Sequence, residues 1–71
     1  MKKFIAIYSF PEGYKESIMV ESVEIDEEEA KEEGVSLYDF AYEILERNDA
    51  TLILLTEEEA KILIKKLTES L

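Results

Sequence analysis

Seventy-one residues with a formal net charge of −10 contain no His, Cys, Trp or Gln, one Asn and one Arg. That inventory excludes disulfide staples and Cys/His metal sites, and it leaves carboxylates as the main chemistry-bearing groups. A single domain of this size sits near the lower limit at which one core is self-sufficient, so stability must come from apolar packing and locally consistent sequence.

The 46% apolar fraction argues against disorder. The longest apolar runs, Phe4–Tyr8 and Leu52–Leu55, are too short to span a bilayer. Lys2 and Lys3 imitate a basic leader, but Ser9, Pro11 and Glu12 end the apolar run too early for a signal peptide. The expectation is a soluble, cytoplasmic chain with no membrane partner. Abundant Glu, Lys, Ile and Leu with few amides fits either a heat-adapted protein or an engineered one.

Lys2–Phe10 reads as a strand apolar in both phases: Phe4, Ala6, Tyr8 and Phe10 on one, Ile5 and Ile7 on the other. Such a strand belongs in the middle of its sheet. Pro11-Glu12-Gly13 reads as a three-residue hairpin loop with a glycine bulge. Lys15–Ile25 is the return strand. Its alternation slips, because Ile18 and Val20 share one face while Val23 and Ile25 share the other. A bulge near Glu21-Ser22 would restore the phase.

Asp26 and Glu29 have the form of a capping box, and Gly34 suits a helix end, so Asp26–Gly34 is a short helix with only Ala30 apolar inside it. Ser36–Arg47 is a clearer helix. Ser36 caps it with Asp39 at N3, Val35 and Phe40 are spaced as a hydrophobic staple, and Leu37, Phe40, Ala41, Ile44 and Leu45 form one stripe. Asn48-Asp49 ends it. Thr51–Leu55 is a short apolar strand. Thr56 and Glu59 box the last helix, whose stripe is Ala60, Leu63, Ile64, Leu67 and Leu71, with Glu57 and Lys61 spaced as an i,i+4 ion pair.

These elements predict one α+β domain over residues 1–71. It is a two-layer sandwich with a three-stranded, mainly antiparallel sheet in order 2-1-3. The topology is β-β-α-β-α with a short extra helix before the first long one, and two helices pack the sheet. The crossover between the second and third strands should be right-handed. A two-layer fold hides one sheet face, so one apolar set of the first strand is surplus. Either the last helix covers it, or the Asp26–Gly34 segment does, or two chains meet through their sheets.

Candidate sites are few. The run Asp26, Glu27, Glu28, Glu29, Glu32 and Glu33 offers charge to a basic partner, or is a solvated helix face. Its consecutive acids diverge on a helix, so they do not form a Ca2+ or Mg2+ cage. No nucleophile elbow or phosphate loop exists, and no histidine can activate a serine; no enzyme, cofactor or metal is expected. Tyr38 and Tyr42 form a helix edge able to anchor a protein, and Phe4 and Tyr8 belong to the first strand's surplus apolar surface. No basic stripe accompanies the tyrosines, so nucleic acid is not an expected partner. The reading is a non-catalytic scaffold or protein-interaction domain, self-associating as a homodimer through a sheet face or binding another protein. The alternative is a small acidic inhibitor of a mobile element that blocks a basic, nucleic-acid-binding protein.

Overall fold

A computed structural model describes residues 1–71. The elements are β1 (Lys2–Glu12), β2 (Lys15–Ile25), α1 (Glu27–Glu33), α2 (Leu37–Leu45), β3 (Thr51–Thr56) and α3 (Glu57–Glu69). The sheet is antiparallel with order β2-β1-β3, so the doubly apolar strand is central as its composition requires. This is the expected α+β arrangement.

The hairpin is regular from end to end. Pairing runs without interruption from Lys2↔Ile25 to Glu12↔Lys15. The bulge expected near Glu21-Ser22 is therefore absent. The slip in alternation stands uncorrected: Val23 and Ile25 lie on one face beside Phe4, while Ile18 and Val20 lie on the other beside Ile7. A bulge is needed only when one face must hold every apolar residue, and β2 serves two faces.

The turn also differs from expectation. Gly13 and Tyr14 alone connect the strands, with Gly13 at φ 68° and Tyr14 not at positive φ. Glycine first with positive φ is the type II′ pattern, which matches the twist of the flanking strands. Pro11 is therefore not a turn corner. It sits within β1 opposite Glu16, on an overhang beyond the reach of β3, which pairs only with Phe4–Ser9. There β1 is an edge, where a missing N–H is tolerated.

The helices begin as the caps dictate. The Asp26 carboxylate accepts from the N–H groups of Glu28 (3.1 Å) and Glu29 (3.2 Å), with no return bond from Glu29. Gly34, at φ 70°, closes α1, and Val35 N–H donates back to Ala30 at 3.0 Å. Both long helices carry complete capping boxes: Ser36 with Asp39, and Thr56 with Glu59. Helix α2 stops at Leu45, before the Arg47 that periodicity indicates, because Glu46 turns left-handed at φ 55°. That conformation is uncommon for a residue with a Cβ.

The core is one-sided. Phe4, Ala6, Tyr8 and Phe10 of β1, Val23 and Ile25 of β2, Ala41 of α2, Ala50 and Leu52 are buried together. Leu37, Phe40, Tyr42 and Leu45 of α2 pack against them. Ala6 and Ala41 are completely buried, the small residues that let a helix approach a sheet closely. Tyr8 and Phe10 rings lie 5.9 Å apart, and the Arg47 guanidinium sits 3.7 Å from the Phe10 ring centroid, closing one end of the core.

Coverage by the helices is unequal. Helix α3 buries no residue; Ala60 is its most covered position and Leu63 remains 41% exposed. The molecule measures 43 × 33 × 14 Å between Cα extremes. A sheet with one helical layer is about 10 Å between layers, and a third layer would roughly double that. Its short dimension therefore leaves no room for α3 above the second sheet face. The radius of gyration, 13.7 Å, exceeds the roughly 11 Å typical of a compact chain this long.

Candidate interaction surfaces

The sheet face away from α2 is built by register alone. Val20, Ile7 and Ile53 form one row across the three strands. Ser22, Ile5 and Leu55 form the next, and Ile18, Ser9 and Thr51 the third. Six of these nine side chains are large and apolar. Ile18 is 72% exposed, Val20 64% and Ile53 52%, while Ile5, Ile7 and Leu55 are half-buried by their neighbours. No element of the chain buries this face.

The opposite phase of β1 is core. Phe4 and Tyr8 are each 5% exposed, so these two residues, expected on a binding surface, lie under α2. The larger aromatics occupy the covered side because they remove most apolar area there. The Tyr8 hydroxyl donates to a Glu21 carboxylate oxygen at 2.8 Å. That bond, with burial and the Glu21 charge, pushes the phenol pKa above its ordinary value, Arg47 opposing slightly.

The tyrosine edge is engaged within the chain. Tyr42 donates its hydroxyl to the Ala50 carbonyl at 2.8 Å, and the Leu54 N–H donates to the Tyr38 hydroxyl oxygen at 3.2 Å. Two hydroxyls one turn apart on α2 thus hold β3 and the residue that leads into it.

The acidic run is spread along α1. Asp26 is its cap, and Glu27 reaches Lys2 at 3.7 Å. Glu28, Glu29, Glu32 and Glu33 are exposed. Negative charge in the first turn of a helix favours its dipole, which accounts for Glu27, Glu28 and Glu29 without a ligand. No group of three or more acidic side chains converges as a cation site. A shallow cleft of about 250 Å3 has Ile25, Phe40 and Ile44 at its floor and Glu24, Asp26, Glu29 and Glu43 around it. Met1 also lines it, and its polar side chains are all carboxylates.

Helix α3 carries the second unoccupied apolar surface. Leu63, Ile64 and Leu67 are exposed on the stripe that begins at Ala60, while Leu71, expected on the same stripe, is exposed beyond the helix end at Glu69. Lys61, Lys65 and Lys66 lie outside that stripe on the helix circumference. The expected Glu57–Lys61 pair is replaced by Glu57 with Lys3, at 4.0 Å. This links the first turn of α3 to β1, where half-exposed charges contribute little.

Sequence patterning left open which apolar set of β1 is surplus, naming Phe4 and Tyr8 for the surface, and it showed Ile5 and Ile7 in the other phase and Ile18 and Val20 out of phase in β2. It did not join them with Ile53 and Leu55 into one surface. Taking the phase slip at face value would have done so. No helix is long and apolar enough to cross a membrane. The class defined by this geometry is a small α+β domain with one covered and one open sheet face. Comparison with protein-family models, curated proteins and solved structures finds no match.

Proposed function

We propose that this chain is a non-catalytic protein-binding domain whose binding surface is the open face of its sheet. The carrying observation is the contiguous apolar patch of Ile5, Ile7, Ile18, Val20, Ile53 and Leu55, left without a covering element. A patch of a few hundred Å2 on one face of a monomer marks an interaction surface. Fold stability does not require it, because the core lies wholly on the other side.

The acidic-inhibitor alternative draws on the charge of −10. The acids of α1 diverge into solvent and have no extended counterpart, so the apolar face is the better supported surface.

The test replaces Val20 and Ile53 together with lysine. Circular dichroism should show an intact fold with a denaturation midpoint close to that of the parent. Apolar dye binding or self-association, whichever the parent displays, should disappear. A variant that unfolds would return this face to the folding core and end the proposal. So would a parent chain that shows neither property.

A further inference from the structure

Two apolar surfaces stand uncovered on one chain, and they match each other. The open face measures roughly 14 Å along the strands, from the Ile5 row to the Ile18 row, and roughly 10 Å across three strands. The α3 stripe from Ala60 to Leu67 is roughly 10 Å long on a helix about 10–12 Å in diameter, with Leu71 just past its end. One helix therefore fills the face. The chain's own α3 does not lie there, for it buries no residue and the molecule is too thin for a third layer.

Resting on the reading of the open face as a binding surface, we infer that the occupant is a second copy of this chain, each copy seating α3 on the other's open sheet face. The arrangement is a two-fold, reciprocal exchange. It covers both surfaces with one operation. Sheet-to-sheet pairing would leave Leu63, Ile64, Leu67 and Leu71 in water, and helix-to-helix pairing would leave Ile18, Val20 and Ile53 there. Reciprocal seating forms the helix-on-face contact twice, so each chain contributes both its stripe and its face to the interface.

Charge agrees. Beyond its acidic first turn, α3 holds Lys61, Lys65 and Lys66 against Glu69, a locally basic stretch in a chain that is acidic as a whole. Glu16 and Glu24 share the open face with Ile18, Val20 and Ser22 and flank its apolar rows, and the one cation on that face, Lys3, lies across from Glu24 and pairs with Glu57. Lys61 and Lys66, which flank the stripe on its two sides, would meet the carboxylates at the border of its seat, offsetting part of the repulsion between two chains of −10.

The experiment is light scattering and sedimentation equilibrium of the full chain from low micromolar to several hundred micromolar. The expected result is a dimer mass at the upper end. Leu63→Lys with Leu67→Lys in α3, and Val20→Lys with Ile53→Lys on the face, should each weaken association at least about 100-fold. None of these four residues is buried, so both variants keep the monomer fold, checked by circular dichroism. Mixing the two variants should restore a heterodimer through the one intact helix and the one intact face. A parent chain that is monomeric throughout overturns the inference and leaves the open face to another protein. Dimers sensitive to only one of the two variants, or a mixture that fails to associate, overturn the helix-on-face seating. Failure of both surfaces as binding sites would show separately, as a parent that neither associates nor binds apolar dye.

Discussion

Helices α2 and α3 start alike and finish in opposite situations. Each opens with a hydroxyl residue and a carboxylate at N3 in a complete capping box, and each carries an apolar stripe. Helix α2 lays its stripe on Phe4, Tyr8 and Leu52 and holds β3 through Tyr38 and Tyr42. Helix α3 is longer, yet it touches the sheet only beside β1 and β3 and buries none of its residues. Caps and periodicity decide that a helix forms and which stripe it offers. Whether anything meets the stripe is decided by the connection. Helix α3 follows β3 with no intervening loop, since Thr56 is both the last strand residue and the N-cap. Isolated helices of 12–15 residues are marginal in water, so α3 depends on its cap, on Glu57 and on whatever it docks against.

Truncation should separate the two helices most sharply. Phe4→Ala, beneath α2, should cost about 3–5 kcal/mol and leave little of the fold, read by chemical denaturation. Leu67→Ala in α3 should change the monomer by less than about 0.5 kcal/mol at low concentration. Comparable costs at the two sites would mean that α3 is part of the folding core.

Backbone strain offers a second contrast. Gly34→Ala should destabilise by about 1 kcal/mol through its positive φ alone, because a Cβ there meets nothing within 4 Å. Glu46→Gly, at the left-handed end of α2, should stabilise by about 0.5–1 kcal/mol. A stabilising effect there confirms that the early stop of α2 is imposed by packing against local preference.

Hydrogen bonding gives a smaller effect. Tyr42→Phe should lose about 1 kcal/mol by freeing the Ala50 carbonyl and loosening the approach to β3.

The pH responses should be the smallest and the most regional. The phenol of Tyr8 has its pKa raised by Glu21, so its neutral form favours the folded state. The corresponding stability is complete below pH 10, the phenol's ordinary value, and is lost as pH rises through the raised value. An alkaline loss of near-ultraviolet dichroism should shrink in Tyr8→Phe. Glu59 is held below the usual carboxylate range by the Thr56 N–H and hydroxyl. Its contribution is complete above the ordinary glutamate value and lost as pH falls through the lowered one. Acid should therefore fray α3 first, and Glu59→Gln should flatten that response in helicity measurements.

Most of this fold is legible in local sequence. The central place of β1 follows from its two apolar phases, and Ser36, Thr56, Asp26 and Gly34 mark helix ends where they are found. What was not legible concerns faces. Alternation in β2 records that Ile18 and Val20 oppose Val23 and Ile25, but a bulge and a two-faced sheet write the same pattern. Pro11 favours a φ that both a turn and an edge strand accept, so the hairpin was set by Gly13 instead. At the candidate surface, Phe4 and Tyr8 looked as available as Ile5 and Ile7, because strand periodicity is silent about which side receives the helix. The tyrosine pair carried no sign of its hydroxyl partners, which lie in β3 and at the residue before it.

The uninterrupted hairpin has a consequence for the order in which the chain assembles. Its turn is two residues long, and its strands can zip within about 1–10 μs. Pairing of β1 with β3 joins Ser9 to Thr51 and Phe4 to Thr56, so it must await closure of a long intervening loop. During that interval the strand destined for the middle of the sheet has a bare edge beside an apolar face, the combination most prone to intermolecular pairing. A charge of −10 on 71 residues keeps such intermediates apart. The same acidity that caps the helices of the folded chain thus also opposes its association while it is still being made.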